Sequence, residues 1–295
     1  MSLKHHQVHR RVAGVGLTAG LVLLLSGCSR ATEDQIKRLA LPVPASKEAG
    51  YVYDFWHASW LAAGIIGLFT LGLILYASVR YRRRSETEIP VQTRYNLPIE
   101  VLYTIAPVMI VVVFFFYTVK EQNRVQYDNP DAASTITVVG QQWSWTFNYN
   151  LGYDAEDKDY ESVGGDTVYE SGTTAQRPTL WLVKDQQVRV FLHSPDVIHS
   201  FWVPAFLYKM DVVPGRHNTF TFTPTREGTF EGRCAELCGV YHSRMLFDVK
   251  VVDQAAYDDH LQELAERGNT GPALGSGDVQ RVPGLGVIDQ EGSGE

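Results

Sequence analysis

The chain has 295 residues, of which 45% are hydrophobic; this is more than one ordinary domain needs and predicts membrane segments plus a globular domain. A formal net charge of -7 argues against nucleic acid as a partner and leaves a solvated acidic surface or an acidic face offered to a basic protein. The cysteines are Cys28, Cys234 and Cys238, and once each has the role given below none remains for a disulfide framework.

Residues 1–27 have the layout of an export signal: Lys4, Arg10 and Arg11, an apolar run from Val12 to Leu25, then small residues. The run Leu25-Ser26-Gly27-Cys28 resembles the lipobox of bacterial lipoprotein precursors, which implies cleavage before Cys28, lipidation of its thiol and an anchor in membrane lipid. A plain signal peptide or an uncleaved anchor is the alternative. Residues 28–55 read as an extracytoplasmic linker, with Pro42 and Pro44 interrupting any long helix and a short surface helix near 34–39.

A predominantly apolar run over 56–79 is long enough to cross a bilayer, with Trp56, Trp60, Tyr76 and Tyr81 at the levels where aromatic belts form. The loop 80–96 carries Arg80, Arg82, Arg83, Arg84 and Arg94, which marks it as cytoplasmic. A second span over 97–119 leads back out, giving an antiparallel two-helix transmembrane hairpin with both chain ends outside. Asn96, Pro98 and Glu100 suit a helix start, where a cap, a fixed φ and a negative charge are each favourable.

From residue 130 the pattern changes to short runs rich in β-branched and aromatic residues: 135–139, 143–149, 180–183, 188–193, 219–223, 228–233 and 246–252. Such spacing predicts a small all-β sandwich or barrel over 130–252. Alternation puts Trp143, Trp145, Phe147 and Tyr149 on one face of a strand. The acidic stretch 154–170 reads as a solvated hairpin loop, or as part of a negative face that steers a basic protein. His193 and His217 have no clustered partners in the sequence and read as surface or hydrogen-bonded histidines. A C-terminal helix is expected over 253–267, followed by a flexible tail over 268–295.

The chemistry concentrates in Cys234-Ala-Glu236-Leu-Cys238-Gly-Val-Tyr-His242-Ser-Arg-Met245, read with His199. Thiolate, imidazole and thioether are the soft and borderline donors that copper prefers. One blue-copper ion needs two His, one Cys and a weak Met, so the second Cys gains a purpose if two ions share both sulfurs as bridges. His199 and His242 would then each serve one ion, with Met245 and the Glu236 carbonyl as weak outer ligands. A Cys234–Cys238 disulfide and a structural Cys2His2 zinc site are the competing readings.

The segments His199-Ser-Phe-Trp-Val-Pro204, Pro214-Gly-Arg216 and Cys234-x-Glu236-x-Cys238-x-x-x-His242-x-x-Met245 resemble the dinuclear copper (CuA) domain of subunit II of haem-copper cytochrome c oxidases. The resemblance implies a cupredoxin-like Greek-key barrel, an electron-entry role at Trp143 in a segment similar to Gly-His-Gln-Trp-x-Trp, and electron delivery to haem in subunit I. It further implies that the Glu236 carboxylate shares a magnesium or manganese ion with subunit I. Glu100, in a segment similar to Glu-x-x-Trp-Thr-x-x-Pro, would stand at the entrance of a proton path; the family's Trp is Tyr103 here. Cytochrome c, or a cytochrome c domain of a partner complex, is the implied donor, and the bacterial cell membrane the implied location. A quinol oxidase subunit of the same fold would lack the copper donors; an exported copper chaperone would need neither the hairpin nor the Trp143 segment.

Overall fold

The computed structural model describes residues 30–275; residues 1–27, read above as an export signal, and Cys28 lie outside the described residues, as do those from 276 onward. A short helix, α1 (Arg30–Lys37), belongs to a unit of its own that ends at Val43. It stands where a surface helix was expected, shifted a few residues toward the N-terminus.

Two long helices follow, α2 (Lys47–Arg80) and α3 (Leu97–Val125), both apolar and long enough to cross a membrane. Each is longer than its apolar run. The linker reading ended at residue 55, yet α2 starts at Lys47, because Ser46 caps it by accepting the Ala49 N–H at 3.1 Å. The first turn is also tied to the globular domain, where the Lys47 N–H donates to the Thr223 carbonyl at 2.9 Å. The second span was expected to stop at 119, but α3 runs on through the polar turn that pairs Glu121 with Arg124. At ~1.5 Å per residue, either helix exceeds the ~30 Å hydrocarbon layer, so the extra turns stand clear of the lipid.

The globular domain is two facing five-stranded sheets. In the first, β1 (Ser134–Gln141) lies between antiparallel β2 (Ser144–Tyr149) and parallel β7 (Val188–His193), with β5 (Val168–Ser171) and β10 (Asn218–Phe222) at the edges. The second has the order β6 (Thr179–Val183), β12 (Leu246–Val252), β11 (Gly228–Cys234), β8 (His199–Val203), β9 (Tyr208–Val212), and only β6 and β12 run parallel. This mixed two-sheet arrangement is the expected cupredoxin-like architecture. Strand alternation sends Trp145, Phe147 and Tyr149 into the core, where Phe247 meets Trp145 at 5.3 Å and Phe147 at 5.5 Å between ring centroids. Trp143 does not join that face: it sits in the turn between β1 and β2, outside the strand.

The acidic stretch folds as a hairpin of its own, β3 (Leu151–Asp154) with β4 (Asp159–Ser162), followed by β5. The C-terminal helix α4 (Gln254–Glu266) is capped by Asp253 and buries Tyr257, His260 and Leu264. Beyond it the flexible-tail reading fails for 269–275, which is hydrogen-bonded to the first sheet through Asn269, Gly271 and Ala273.

Candidate metal centre

The connection from β11 to β12 starts at Cys234, the last residue of β11, and ends at Met245, just before β12. His199, the first residue of β8, stands beside it. The two sulfurs lie 3.8 Å apart and are not bonded to each other. His199 Nδ1 is 3.9 Å from Cys234 Sγ, and His242 Nδ1 is 3.5 Å from Cys238 Sγ. Met245 Sδ lies 3.7 Å from Cys238 Sγ, and the Glu236 carbonyl oxygen 3.2 Å from Cys234 Sγ. The two thiols therefore form a shared middle with one imidazole beside each. His199 and Met245 are wholly buried and both cysteines nearly so, while the Glu236 side chain points outward.

This layout bears on how many ions it fits. Four donors on one zinc at ~2.0–2.3 Å must all be near neighbours of one another. Among the described residues only His199, Cys234 and Cys238 bring their ligand atoms within 4.8 Å of one another, and His242 is left to one side. A single tetrahedral ion is thus a poor fit, and Met245 would have no part in it. Two soft ions sharing both sulfurs use every donor.

The thiols do not ionise alike. The Cys238 contact holds Cys234 well below the usual thiol range against the opposing effect of burial, with help from His199. The same contact, together with burial, pushes Cys238 up. Both thiols must give up their protons to hold a metal.

Sequence reasoning missed Asp196. Its carboxylate accepts from His199 Nε2 at 2.9 Å, from the Val197 N–H at 2.6 Å and from the Gln142 N–H at 2.7 Å. This fixes the His199 proton on Nε2 and turns Nδ1 toward Cys234. Burial pulls the His199 imidazole down, but its bonds to Asp196 and Cys234 outweigh that and leave its pKa raised. For Asp196 burial works upward, and the hydrogen bonds from His199, Gln142 and Val197 win, leaving it lowered. An Asp three residues before a His outside any helix carries no sequence signal for such a pair.

Trp143 is half-buried beside the loop: its indole N–H donates to the Cys238 carbonyl at 3.2 Å, and its ring stands edge-on to Tyr241 at 5.2 Å. Gln142 Nε2 donates to the same carbonyl at 2.6 Å. Gly239 makes the approach feasible, since at φ +124° a Cβ there would lie 3.1 Å from the Trp143 ring. Glu100 is at the far end of α3, ~40 Å of helix away. Its carboxylate accepts the Asn96 N–H at 2.9 Å while Asn96 Oδ1 accepts from Ile99, so the expected helix cap is formed. His193 and His217 do cluster, contrary to expectation: their rings are parallel at 5.9 Å, Tyr153 stacks on His217 at 3.6 Å, and Tyr160 shares a hydrogen bond with His217 Nδ1 at 2.9 Å. The β3–β4 hairpin brings both tyrosines, a long-range contact invisible in the spacing.

A cluster of thiols, imidazoles and a thioether at one end of a β-sandwich, joined to a pair of membrane-length helices, fits the class of membrane proteins that could hold a soft metal ion. Comparison with known proteins agrees. The family model described as cytochrome C oxidase subunit II, periplasmic domain, matches residues 134–252, and the corresponding transmembrane-domain model matches 34–120. A probable cytochrome c oxidase subunit 2 of Streptomyces avermitilis is 46% identical over 290 residues, covering 89% of each chain. One from Streptomyces coelicolor is likewise 46% identical, over 291 residues and 89% of each chain. The cytochrome c oxidase subunit 2 of Corynebacterium glutamicum is 32% identical over 303 residues, 85% of this chain and 84% of that one. The chain belongs to the cytochrome c oxidase subunit II family.

Proposed function

We propose that this chain is the electron-entry subunit of a cytochrome c oxidase, accepting electrons from cytochrome c, or a cytochrome c domain of a partner complex, and passing them to haem in subunit I. The observation that carries the reading is the pair of buried thiols 3.8 Å apart with an imidazole beside each. Cys234 and Cys238 would bridge two copper ions, His199 and His242 would each hold one, and Met245 and the Glu236 carbonyl would complete the set. When bound, such a pair supplies a one-electron store spread over two metals, so little rearranges on electron transfer. The residues of the chain do the rest: Asp196 keeps His199 in the ligating tautomer, the wholly buried His199 and Met245 keep water from the donors, and Trp143 offers an aromatic ring to the donor side. From that ring the route runs through its hydrogen bond to the Cys238 carbonyl.

The Glu236 carboxylate, exposed and hard, suits a magnesium or manganese ion held jointly with subunit I. Glu100, at the other end of α3, would take protons into subunit I, Cys28 would carry lipid, and the copper domain would face the outside. The full donor set speaks against a quinol oxidase subunit, and the match to a subunit II transmembrane model against a copper chaperone.

Metal analysis and EPR of the purified oxidase test this: two coppers per chain sharing one unpaired electron are expected, and one metal, or zinc, rejects the centre. Trp143→Phe keeps a ring but removes the N–H to Cys238. Cytochrome c oxidation is expected to fall by about tenfold or more with the EPR signal intact; unchanged turnover would reject the entry role.

A further inference from the structure

Residues 269–275 lie along the first sheet. Tyr169 N–H donates to the Asn269 carbonyl at 3.1 Å and Gly271 N–H to the Thr167 carbonyl at 2.9 Å. Ala273 N–H then donates to Asn148 Oδ1 at 2.7 Å, and Asn148 Nδ2 returns a bond to the Ala273 carbonyl at 3.0 Å. Asn148 is wholly buried on β2 opposite Thr137 of β1, so its amide pairs this segment to the sheet as a strand would. The run arrives at Gly275, where φ is +76° and a Cβ would stand 2.5 Å from Gln141 Oε1 and 3.1 Å from Pro195 Cγ. Gln141 leads into the Gln142–Trp143 turn, and Pro195 leads into Asp196. Those two stretches are joined by the hydrogen bond from Gln142 N–H to Asp196.

We infer that residues 269–275 form a strap that positions the Trp143 turn against the His199 loop, making the C-terminal segment a working part of the electron-entry face. It acts through Gln141 and Pro195, neither of which is a proposed copper donor, so it governs how a docked cytochrome meets Trp143. The inference rests on the entry role of Trp143.

The test uses the intact oxidase in three forms: a chain ending after Gly275, one ending after Gly268, and full-length Gly275→Val. KM and kcat with cytochrome c are compared with turnover driven by a small aromatic diamine, alongside the EPR signal and hydrogen exchange at Gln142 and Trp143. The chain ending after Gly275 should behave as the parent. Ending after Gly268, and Gly275→Val, should each raise KM for cytochrome c by about threefold or more and speed exchange at the turn, leaving diamine turnover and EPR unchanged. If the shorter truncation fails to assemble, Gly275→Val decides alone, because the whole segment is present in it and only its end is displaced. Parental KM in Gly275→Val overturns the inference, as does an altered EPR signal in it, which would move the effect to the copper loop. A raised KM already in the chain ending after Gly275 also overturns it, since docking would then belong to 276–295. The Trp143→Phe oxidase in the same assay separates the two readings: unchanged cytochrome turnover there rejects the entry role, whereas parental exchange at the turn without the strap rejects the strap.

Discussion

The β-sandwich is held at its two ends by opposite kinds of chemistry. Where α2 and α3 join it, the buried and half-buried acids Glu48 and Asp128 find partners inside the chain. Glu48 accepts the Thr223 N–H at 2.9 Å, and Asp128 takes both Arg189 Nε at 2.7 Å and Nη2 at 2.6 Å. The Asn129 N–H donates to Thr221 Oγ1 at 2.9 Å. At the copper-loop end the buried groups are soft sulfurs and imidazoles 3.5–3.9 Å apart, spacings at which sulfur hydrogen bonds are weak. The helix end is held by hydrogen bonds and an ion pair, whereas the sulfurs and imidazoles of the loop end make only weak contacts with one another and would gain cohesion from a bound ion. The two ends should therefore respond independently to substitution.

The largest effect is expected from Cys238→Ser. It removes the sulfur that contacts Cys234, His242 and Met245 together, and a serine oxygen is a harder donor unsuited to bridging two coppers. Turnover driven by cytochrome c in the purified oxidase should drop to background with loss of the two-copper EPR signal. Exchange at the Thr223 and Asn129 amides should stay parental; if those amides also loosen, the ends are coupled and the comparison breaks.

How much of this was legible beforehand follows from the range of each interaction. The grouping of Cys234, Cys238, His242 and Met245 was legible because all four proposed donors lie within one loop and their types are chemically unusual together. The spans could be read because lipid demands long apolar runs. Trp145, Phe147 and Tyr149 could be placed because alternation is local, but Trp143 left their face because a turn between β1 and β2 interrupts the period. Strands β8 and β9 escaped because Ser200, Lys209 and Asp211 dilute their patterns, and pairing with each other supplies what propensity lacks. Asp196, the His193–His217 cluster and the docking of 269–275 depend on partners distant in sequence or on loop geometry, so no spacing announced them.

Next in size is Asp196→Asn. Asparagine can still accept from His199 Nε2 through its oxygen, but its NH2 group cannot accept the Gln142 N–H that now bonds to Oδ2. Losing a carboxylate behind a metal-binding imidazole typically costs about 10–100-fold in metal affinity. Copper retention in a chelator titration should weaken by that order, with the loss of negative charge also raising the reduction potential of the centre. Parental affinity and potential together would show that Asp196 is only packing.

A smaller and purely structural effect should follow Asp128→Ala at the other end. Arg189 would lose a bidentate partner; its side chain is 23% exposed and that of Asp128 31%, so solvent softens the loss. We expect about 1–2 kcal/mol, below the ~3–5 kcal/mol for breaking a fully buried pair. A lowered Tm with an unchanged copper EPR signal would sharpen the division between the ends, and a changed signal would contradict it.

The smallest effect concerns the His193–His217 cluster under the β3–β4 hairpin. Burial lowers both imidazoles below the ordinary 6.5, and for His193 the neighbouring His217 charge adds to it. The folded chain therefore prefers both rings neutral, while the unfolded chain takes up protons at higher pH. The sign follows: this contribution to stability is whole above 6.5 and is lost as pH falls through the window between 6.5 and the lower folded values. Tyr153 and Tyr160 face the pair from the hairpin, and protonating Nδ1 of His217 would remove the acceptor available to the Tyr160 hydroxyl. His217→Phe keeps a ring for Tyr153 to stack on but cannot take a proton. Its Tm should fall less than that of the parent between about pH 7 and about pH 5.5, by about a degree or two. An equal fall in both would show that the hairpin cluster is pH-silent over this range.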